Sequence, residues 1–153
     1  MLKIEKNIKG FTLIELLIVI AIIGILASVI LVSTQGAVVK ARRASALTTA
    51  ASMMTELVTC QDDDGQATSS MPVATTDFIC CKDAAVCATS DPNNAVDGHT
   101  QTWPDLAATQ FEYFEAPTGD ITAGTYKFKA RRIGGTETGD DLITCDMSAN
   151  GCV

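Results

Sequence analysis

Gly10-Phe11-Thr12-Leu13-Ile14-Glu15 opens an apolar run that ends near Val32, and Glu15 is its only charged residue. Phe11 to Val32 is 22 residues, dominated by Leu, Ile, Val and Ala. At about 1.5 Å rise per residue a helix of that length is roughly 33 Å long, enough to cross a hydrocarbon core of about 30 Å. Lipid offers the backbone no hydrogen-bond partners, so a single span is helical. The β-branched Ile18, Val19, Ile20, Ile22 and Ile23 weaken helix propensity in water, but in a membrane burial decides. A carboxylate inside such a segment is costly and marks a functional site whose partner has to be found.

Met1–Gly10 carries Lys3, Lys6 and Lys9 against one acid, Glu5. A short basic leader ahead of an apolar run is how export signals begin. Cleavage after the run would need small residues in an Ala-x-Ala-like pattern, which Ser33-Thr34-Gln35-Gly36-Ala37 fits poorly. No cysteine follows closely enough to carry a lipid anchor. The leader lysines favour a cytoplasmic N-terminus, although Lys40, Arg42 and Arg43 beyond the far end reduce the charge asymmetry.

Gly10-Phe11-Thr12-Leu13-Ile14-Glu15, followed by Leu16-Leu17-Ile18-Val19-Ile20-Ala21-Ile22-Ile23-Gly24-Ile25-Leu26-Ala27, resembles the N-terminus of type IV pilins and of the related pseudopilins of type II secretion. The likeness covers about Lys9–Val32, a minority of the chain, and the remainder is similar only in general layout. The resemblance implies that a prepilin peptidase cuts between Gly10 and Phe11 on the cytoplasmic side, that the new Phe11 amine is N-methylated, and that the apolar segment stays in place. It also implies that Glu15 pairs with the Phe11 amine, chiefly that of a neighbouring subunit, as subunits leave the membrane for a filament core.

Electrostatics leads to the same pairing. A lone carboxylate in an apolar bundle either stays protonated or finds a cation, and cleavage creates a cation at the same helix end. Breaking such a pair leaves an uncompensated charge at a cost of about 3–5 kcal/mol, which would bias an incoming subunit toward the axial register that supplies an amine. The competing reading is that Glu15 snorkels to the cytoplasmic headgroups. Many family members carry proline where this chain has Val32, and their helix often unwinds there. Here Gly24 and Gly36 are the helix-weakening residues of the region.

The 153 residues leave room for one globular domain once the span is set aside. The expected organisation is a leader over 1–10, a membrane and filament-core helix over 11–32, and an exported head over 33–153 that includes the second half of the helix. Net charge is −7, and loss of the leader would leave about −9. Such a head argues against general nucleic-acid binding, which relies on cationic surface. Apolar residues make up 47% of the chain, a figure inflated by the span.

Cys60, Cys80, Cys81, Cys87, Cys145 and Cys152 all lie beyond the span, and an even number in an exported segment reads as disulfides in an oxidising compartment. Asp146-Met147-Ser148-Ala149-Asn150-Gly151 is a short turn-rich loop between Cys145 and Cys152, so these two are expected to pair. That loop also resembles the disulfide-bounded C-terminal loop of many pilins. Cys81–Cys87 with Cys60–Cys80 is the second expectation, and the neighbouring Cys80 and Cys81 could exchange roles.

Beyond the span Ala37, Ala41, Ala44, Leu47, Ala51, Met54 and Val58 recur at steps of three or four, which predicts one apolar face and one helix from about Phe11 to Cys60. Gln61-Asp62-Asp63-Asp64-Gly65-Gln66 ends it. From there to Asp105 the composition predicts an irregular, disulfide-stapled connection, with a short helical turn near Asp83–Cys87 and Trp103 as its anchor on the core. Phe111–Glu115 and Thr125–Arg131 read as strands; in the second, Tyr126, Phe128 and Ala130 alternate with Lys127, Lys129 and Arg131. Leu142–Cys145 reads as a third strand after the glycine-rich turn Ile133–Asp141. The predicted fold class is α+β, a long helix packed against a small antiparallel sheet with disulfide-stapled loops.

No catalytic constellation is visible, and the chain is not expected to be an enzyme. His99, the single histidine, sits in Asp97-Gly98-His99-Thr100, which reads as an exposed turn. A zinc site from Cys80, Cys81, Cys87 and His99 is conceivable by residue type, but disulfides are favoured in an exported chain. Asp62-Asp63-Asp64 and the run Asp91–Gly98 hold oxygen ligands suited to calcium, without a full loop signature. They read as solvated acidic surface, with no cofactor expected and calcium as the alternative. Lys127, Lys129, Arg131 and Arg132 read as a wet sheet face pairing with Glu112 and Glu115 rather than a grip for DNA.

The expectation is a structural subunit of a type IV pilus-like extracellular filament. Its partners would be identical subunits and other pilins, a prepilin peptidase, and an inner-membrane platform driven by a cytoplasmic ATPase. The subunit would be a single-pass protein of the cytoplasmic membrane before assembly and extracellular after it. A type II secretion pseudopilin is the alternative within the class. From a different class, a monomeric exported binding domain on an uncleaved N-terminal anchor is the alternative, and the state of the Gly10–Phe11 bond separates the two.

Overall fold

The computed structural model of the chain describes residues 10–85, 87 and 92–153. The leader residues Lys3, Glu5, Lys6 and Lys9, and Asp91 of the second acidic run, lie outside the described residues, as do the side chains of Val32 and of Ser33, Thr34 and Gln35. Helix α1 (Leu13–Asp62) comes first, followed by strands β1 (Phe111–Tyr113), β2 (Lys127–Arg132), β3 (Leu142–Asp146) and β4 (Gly151–Cys152). The strands form one antiparallel sheet in the order β1-β2-β3-β4. The α+β expectation therefore holds, with one long helix and one small sheet. Two compact units are present, residues 1–39 and residues 40–153.

In the first unit, Leu13–Ile30 is long and apolar enough to cross a membrane, and none of it is buried against protein. Its polar hydroxyl is locally satisfied, since Ser28 Oγ donates to the Ile25 carbonyl at 2.8 Å. Such a helix is apolar on every side, as a span in lipid has to be.

In the second unit, the part of α1 beyond Lys40 buries Ala46, Ala50, Met53, Leu57 and Cys60 at 7% exposure or less, with Met54 beside them. This corrects the predicted stripe. Ala37, Ala41, Ala44 and Ala51 are exposed, Val58 is 40% exposed, and Leu47 is half-buried; of that set only Met54 is fully in the core. The buried row lies one position before the predicted one, a rotation of about 100° about the helix axis. Both rows step by three and four. The Cys60–Cys80 disulfide and the bulk of Met53 and Leu57 choose between them.

The helix ends in a Schellman arrangement. Gly65 N–H donates to Cys60 O at 2.8 Å and Asp64 N–H to Gln61 O at 3.3 Å, with Asp64 left-handed at φ 56°. Among the described residues of the predicted helical turn near Asp83–Cys87, Cys87 N–H donates to Asp83 O at 3.1 Å and Ala85 N–H to Asp83 Oδ1 at 2.9 Å.

The sheet packs its inner face on this part of α1. Phe111, Phe128, Ala130, Ile143 and Cys145 are all buried, and the alternation along β2 and β3 puts the intervening residues on the wet side. β1 stops at Tyr113 rather than Glu115, β2 runs Lys127–Arg132, and β3 extends to Asp146. β4 was not expected. Two residues carry no periodicity to read, and the strand exists because Cys145 pairs with Cys152 across the ladder. Trp103 is completely buried, meets Tyr113 and Phe128 edge-on at 5.4 and 5.1 Å, and donates from Nε1 to the Phe78 carbonyl at 3.2 Å. It anchors the irregular connection as expected.

Candidate functional site

The amino-terminal end of α1 is built by four residues. Thr12 is the N-cap: its Oγ1 receives Glu15 N–H at 3.4 Å, and Glu15 Oε2 in return accepts Thr12 N–H at 2.8 Å and Thr12 Oγ1–H at 2.7 Å. This is a capping box, Thr-x-x-Glu, in which two orphan donors of the helix end are satisfied reciprocally. The pattern is legible in the sequence as Thr12-Leu13-Ile14-Glu15, yet the expectations for Glu15 are a protonated acid, an amine partner or the headgroups, and they miss the cap. Phe11 is 85% exposed and Gly10 has open space around it, so the Gly10–Phe11 bond lies ahead of the helix and accessible. The carboxylate is held at the helix end by one oxygen.

The exposed side of α1 in the second unit presents another apolar surface. Ala51, Met54, Thr55, Val58 and Thr59 line a shallow groove closed on one side by Asn150 and Gly151. It is the face that the sequence periodicity assigned to the core.

The six cysteines form Cys60–Cys80, Cys81–Cys87 and Cys145–Cys152. Cα separations are 5.6 Å for the first two, and both bridges are fully buried. Adjacent residues in extended chain point to opposite sides, so Cys80 meets α1 while Cys81 turns to Cys87. Among the described residues no group of three or more His, Cys, Asp or Glu is arranged to hold a metal ion. Of the acidic stretches, Asp62 and Asp64 are exposed and Asp97 pairs with Lys82 at 3.8 Å.

The wet sheet face is internally neutralised. Lys129 pairs with Glu115 at 2.7 Å and Arg131 with Glu112 at 3.2 Å, as expected. Lys127 and Arg132 find Asp146 and Asp141 instead, at 2.7 and 2.6 Å. The Arg132 guanidinium, helped by Thr136 N–H, holds Asp141 down to about 2, and Lys127 with Ser148 does the same for Asp146.

His99 contradicts its predicted exposure. It is 6% exposed, with Nδ1 at 2.8 Å from Glu56 Oε1 and Nε2 at 2.9 Å from Asp63 Oδ2. Hydrogen bonding to Asp63, opposed by burial and reinforced by Glu56, pushes the ring above its ordinary value. Glu56 lies on α1 and Asp63 just past its end, seven residues on, but nothing local in the sequence connects position 99 to them.

Comparison with known proteins finds likenesses to the first of these features. The family model for the prokaryotic N-terminal methylation motif matches residues 6–31. A probable minor fimbrial protein of Dichelobacter nodosus is 43% identical over 58 residues, which cover 38% of this chain and 36% of that relative. No solved structure matches. The chain thus carries the prokaryotic N-terminal methylation motif over Gly10–Phe11, with an acid at Glu15 and an apolar helix behind them, and over this segment it is similar to fimbrial proteins, while it spans about a third of the length of the relative it matches.

Proposed function

We propose that the chain is a structural subunit of a type IV pilus-like extracellular filament, cut by a prepilin peptidase between Gly10 and Phe11 and polymerised through its apolar helices. The observation that carries this is Glu15, a carboxylate at the head of the apolar span Leu13–Ile30, none of which is buried among the described residues. In the single chain Thr12 satisfies it locally. In a filament core the freed amine of Phe11, N-methylated and chiefly from a neighbouring subunit, supplies the counter-charge. In the second unit, the exposed side of α1 that carries Ala41, Ala44, Ala51 and Val58 offers further surface for neighbouring helices. Identical subunits, other pilins, an inner-membrane platform and a cytoplasmic ATPase are the partners this role requires. Before assembly the subunit sits in the cytoplasmic membrane with its N-terminus inside. The role is architectural rather than catalytic, and the disulfide-bounded loop Cys145–Cys152 favours a pilus over a secretion pseudopilus.

Two measurements test this. Intact mass of membrane-extracted protein from cells with an active prepilin peptidase should show a chain starting at Phe11; one still starting at Met1 refutes the reading. Glu15→Gln separates the two roles of the carboxylate. The amide oxygen still accepts from Thr12, so a cap-only role predicts unchanged filament yield. Loss of a charge pair worth about 3–5 kcal/mol predicts that shed filaments disappear.

A further inference from the structure

The stretch from Pro92 to Gln101 follows the last bridge of the stapled connection and contains no cysteine. Backbone bonds tie it to its own neighbours: Lys82 N–H to Asn94 O, Ile79 N–H to Gln101 O, and the Cys81–Ala95 bridge. Val96 packs against the core, and among the described residues the side chain that hydrogen-bonds the stretch to the carboxyl-terminal end of α1 is His99. Its ring is wedged between Glu56 and Asp63, whose side chains are 11% and 60% exposed.

A neutral imidazole has one donor and one acceptor nitrogen, whereas an ionised carboxylate only accepts. Two carboxylates at 2.8 and 2.9 Å from the two nitrogens can both be satisfied only by the doubly protonated ring. In the neutral ring one nitrogen would turn a lone pair toward a carboxylate oxygen, either that of the largely buried Glu56 or that of the exposed Asp63. We propose that His99 is a pH-sensitive latch that, as an imidazolium, pins the 92–101 turn to the carboxyl-terminal end of α1 and releases it on losing a proton.

The charges that face the ring are Glu56 from α1 and Asp63 just beyond its end. On its own turn Asp97 is engaged by Lys82, and Asp62 and Asp64 point to solvent beside the helix end. Burial favours the neutral ring, and the two carboxylates outweigh it, so the folded ring titrates above its ordinary value. A raised folded value means that the latch is fully closed below about pH 6.5, the value of a free histidine, and is lost as pH rises through the folded value.

The chain has a single histidine, so its ring resonance needs no assignment by mutation. In the full chain in detergent, the His99 Cε1–H titration is expected to have a midpoint above 6.5. Amide exchange over 92–101, corrected for intrinsic rate, should accelerate above about pH 6.5 by at most about tenfold per pH unit and then level off. His99→Asn should exchange fast at every pH. Glu56→Gln, which keeps a hydrogen-bond acceptor but loses the charge, should move the rise to lower pH, and it serves if the histidine variant does not fold. A midpoint at or below 6.5, or protection of 92–101 that does not change with pH, overturns the latch.

Discussion

Gly65→Ala puts the tightest demand on the fold. A Cβ at position 65 would stand 2.5 Å from Cys80 Sγ, 2.6 Å from Cys60 Sγ and 3.0 Å from the Cys60 carbonyl oxygen. Ordinary contact begins near 3.4 Å, so two sulfurs and a backbone atom would each have to retreat, the sulfurs by nearly 1 Å. None is the free end of a flexible side chain. The sulfurs are bonded to each other, and the carbonyl accepts the Gly65 N–H that closes the helix. If the bridge survives, over-packing of this kind costs about 1–3 kcal/mol. If it fails to close, the chain loses the constraint on a loop of 20 residues, worth about 3 kcal/mol. Either cost is a large share of an ordinary domain's stability of roughly 5–15 kcal/mol. Alkylation without reduction followed by intact mass counts free thiols, and thermal melts of the same samples read stability. The expected result is free thiol, a lowered midpoint, or both. Gly151→Ala, where nothing lies within 4 Å of the new Cβ, should be nearly silent in both assays. A fully oxidised Gly65→Ala chain that melts like the parent would refute the packing argument.

Trp103→Ala removes a fully buried ring and two edge-on aromatic contacts and leaves the Phe78 carbonyl without its donor; urea unfolding should show a loss of about 3–5 kcal/mol. Acidification should weaken the sheet through Asp141 and Asp146, both held down to about 2. Their contribution is present above the unfolded value of about 3.9 and is lost as pH falls from about 4 toward 2. Melting temperatures of Asp141→Asn against pH should therefore be flatter over that acid range than those of the parent.

What the sequence determined by itself is what repeats at short range. The span follows from 22 residues of lipid-grade composition, and Glu15 stands out because it is the one charge among them. The methylation motif is contiguous, and the Thr12–Glu15 box needs only a helix start and a spacing of three. The alternation of Phe128 and Ala130 with Lys127, Lys129 and Arg131 is a property of one strand, and so the α+β class was legible.

Tertiary structure alone decided the rest, because those features depend on partners tens of residues away. The outer part of α1 carries two apolar rows, and a 3.6-residue period cannot rank them; the Cys60–Cys80 bridge, 20 residues apart, turns Ala46, Ala50, Met53 and Leu57 inward and leaves Ala37, Ala41, Ala44 and Ala51 outside. Pairing of β2 with β3 gives Lys127 to Asp146, and the approach of Asp141 takes Arg132, where the sequence offered Glu112 and Glu115. His99 reads as a polar turn residue until the connection folds back and sets it between carboxylates 43 and 36 positions earlier. Local periodicity records which faces are apolar, but the rotation of a helix and the partner of a charge are set only when the long loops close.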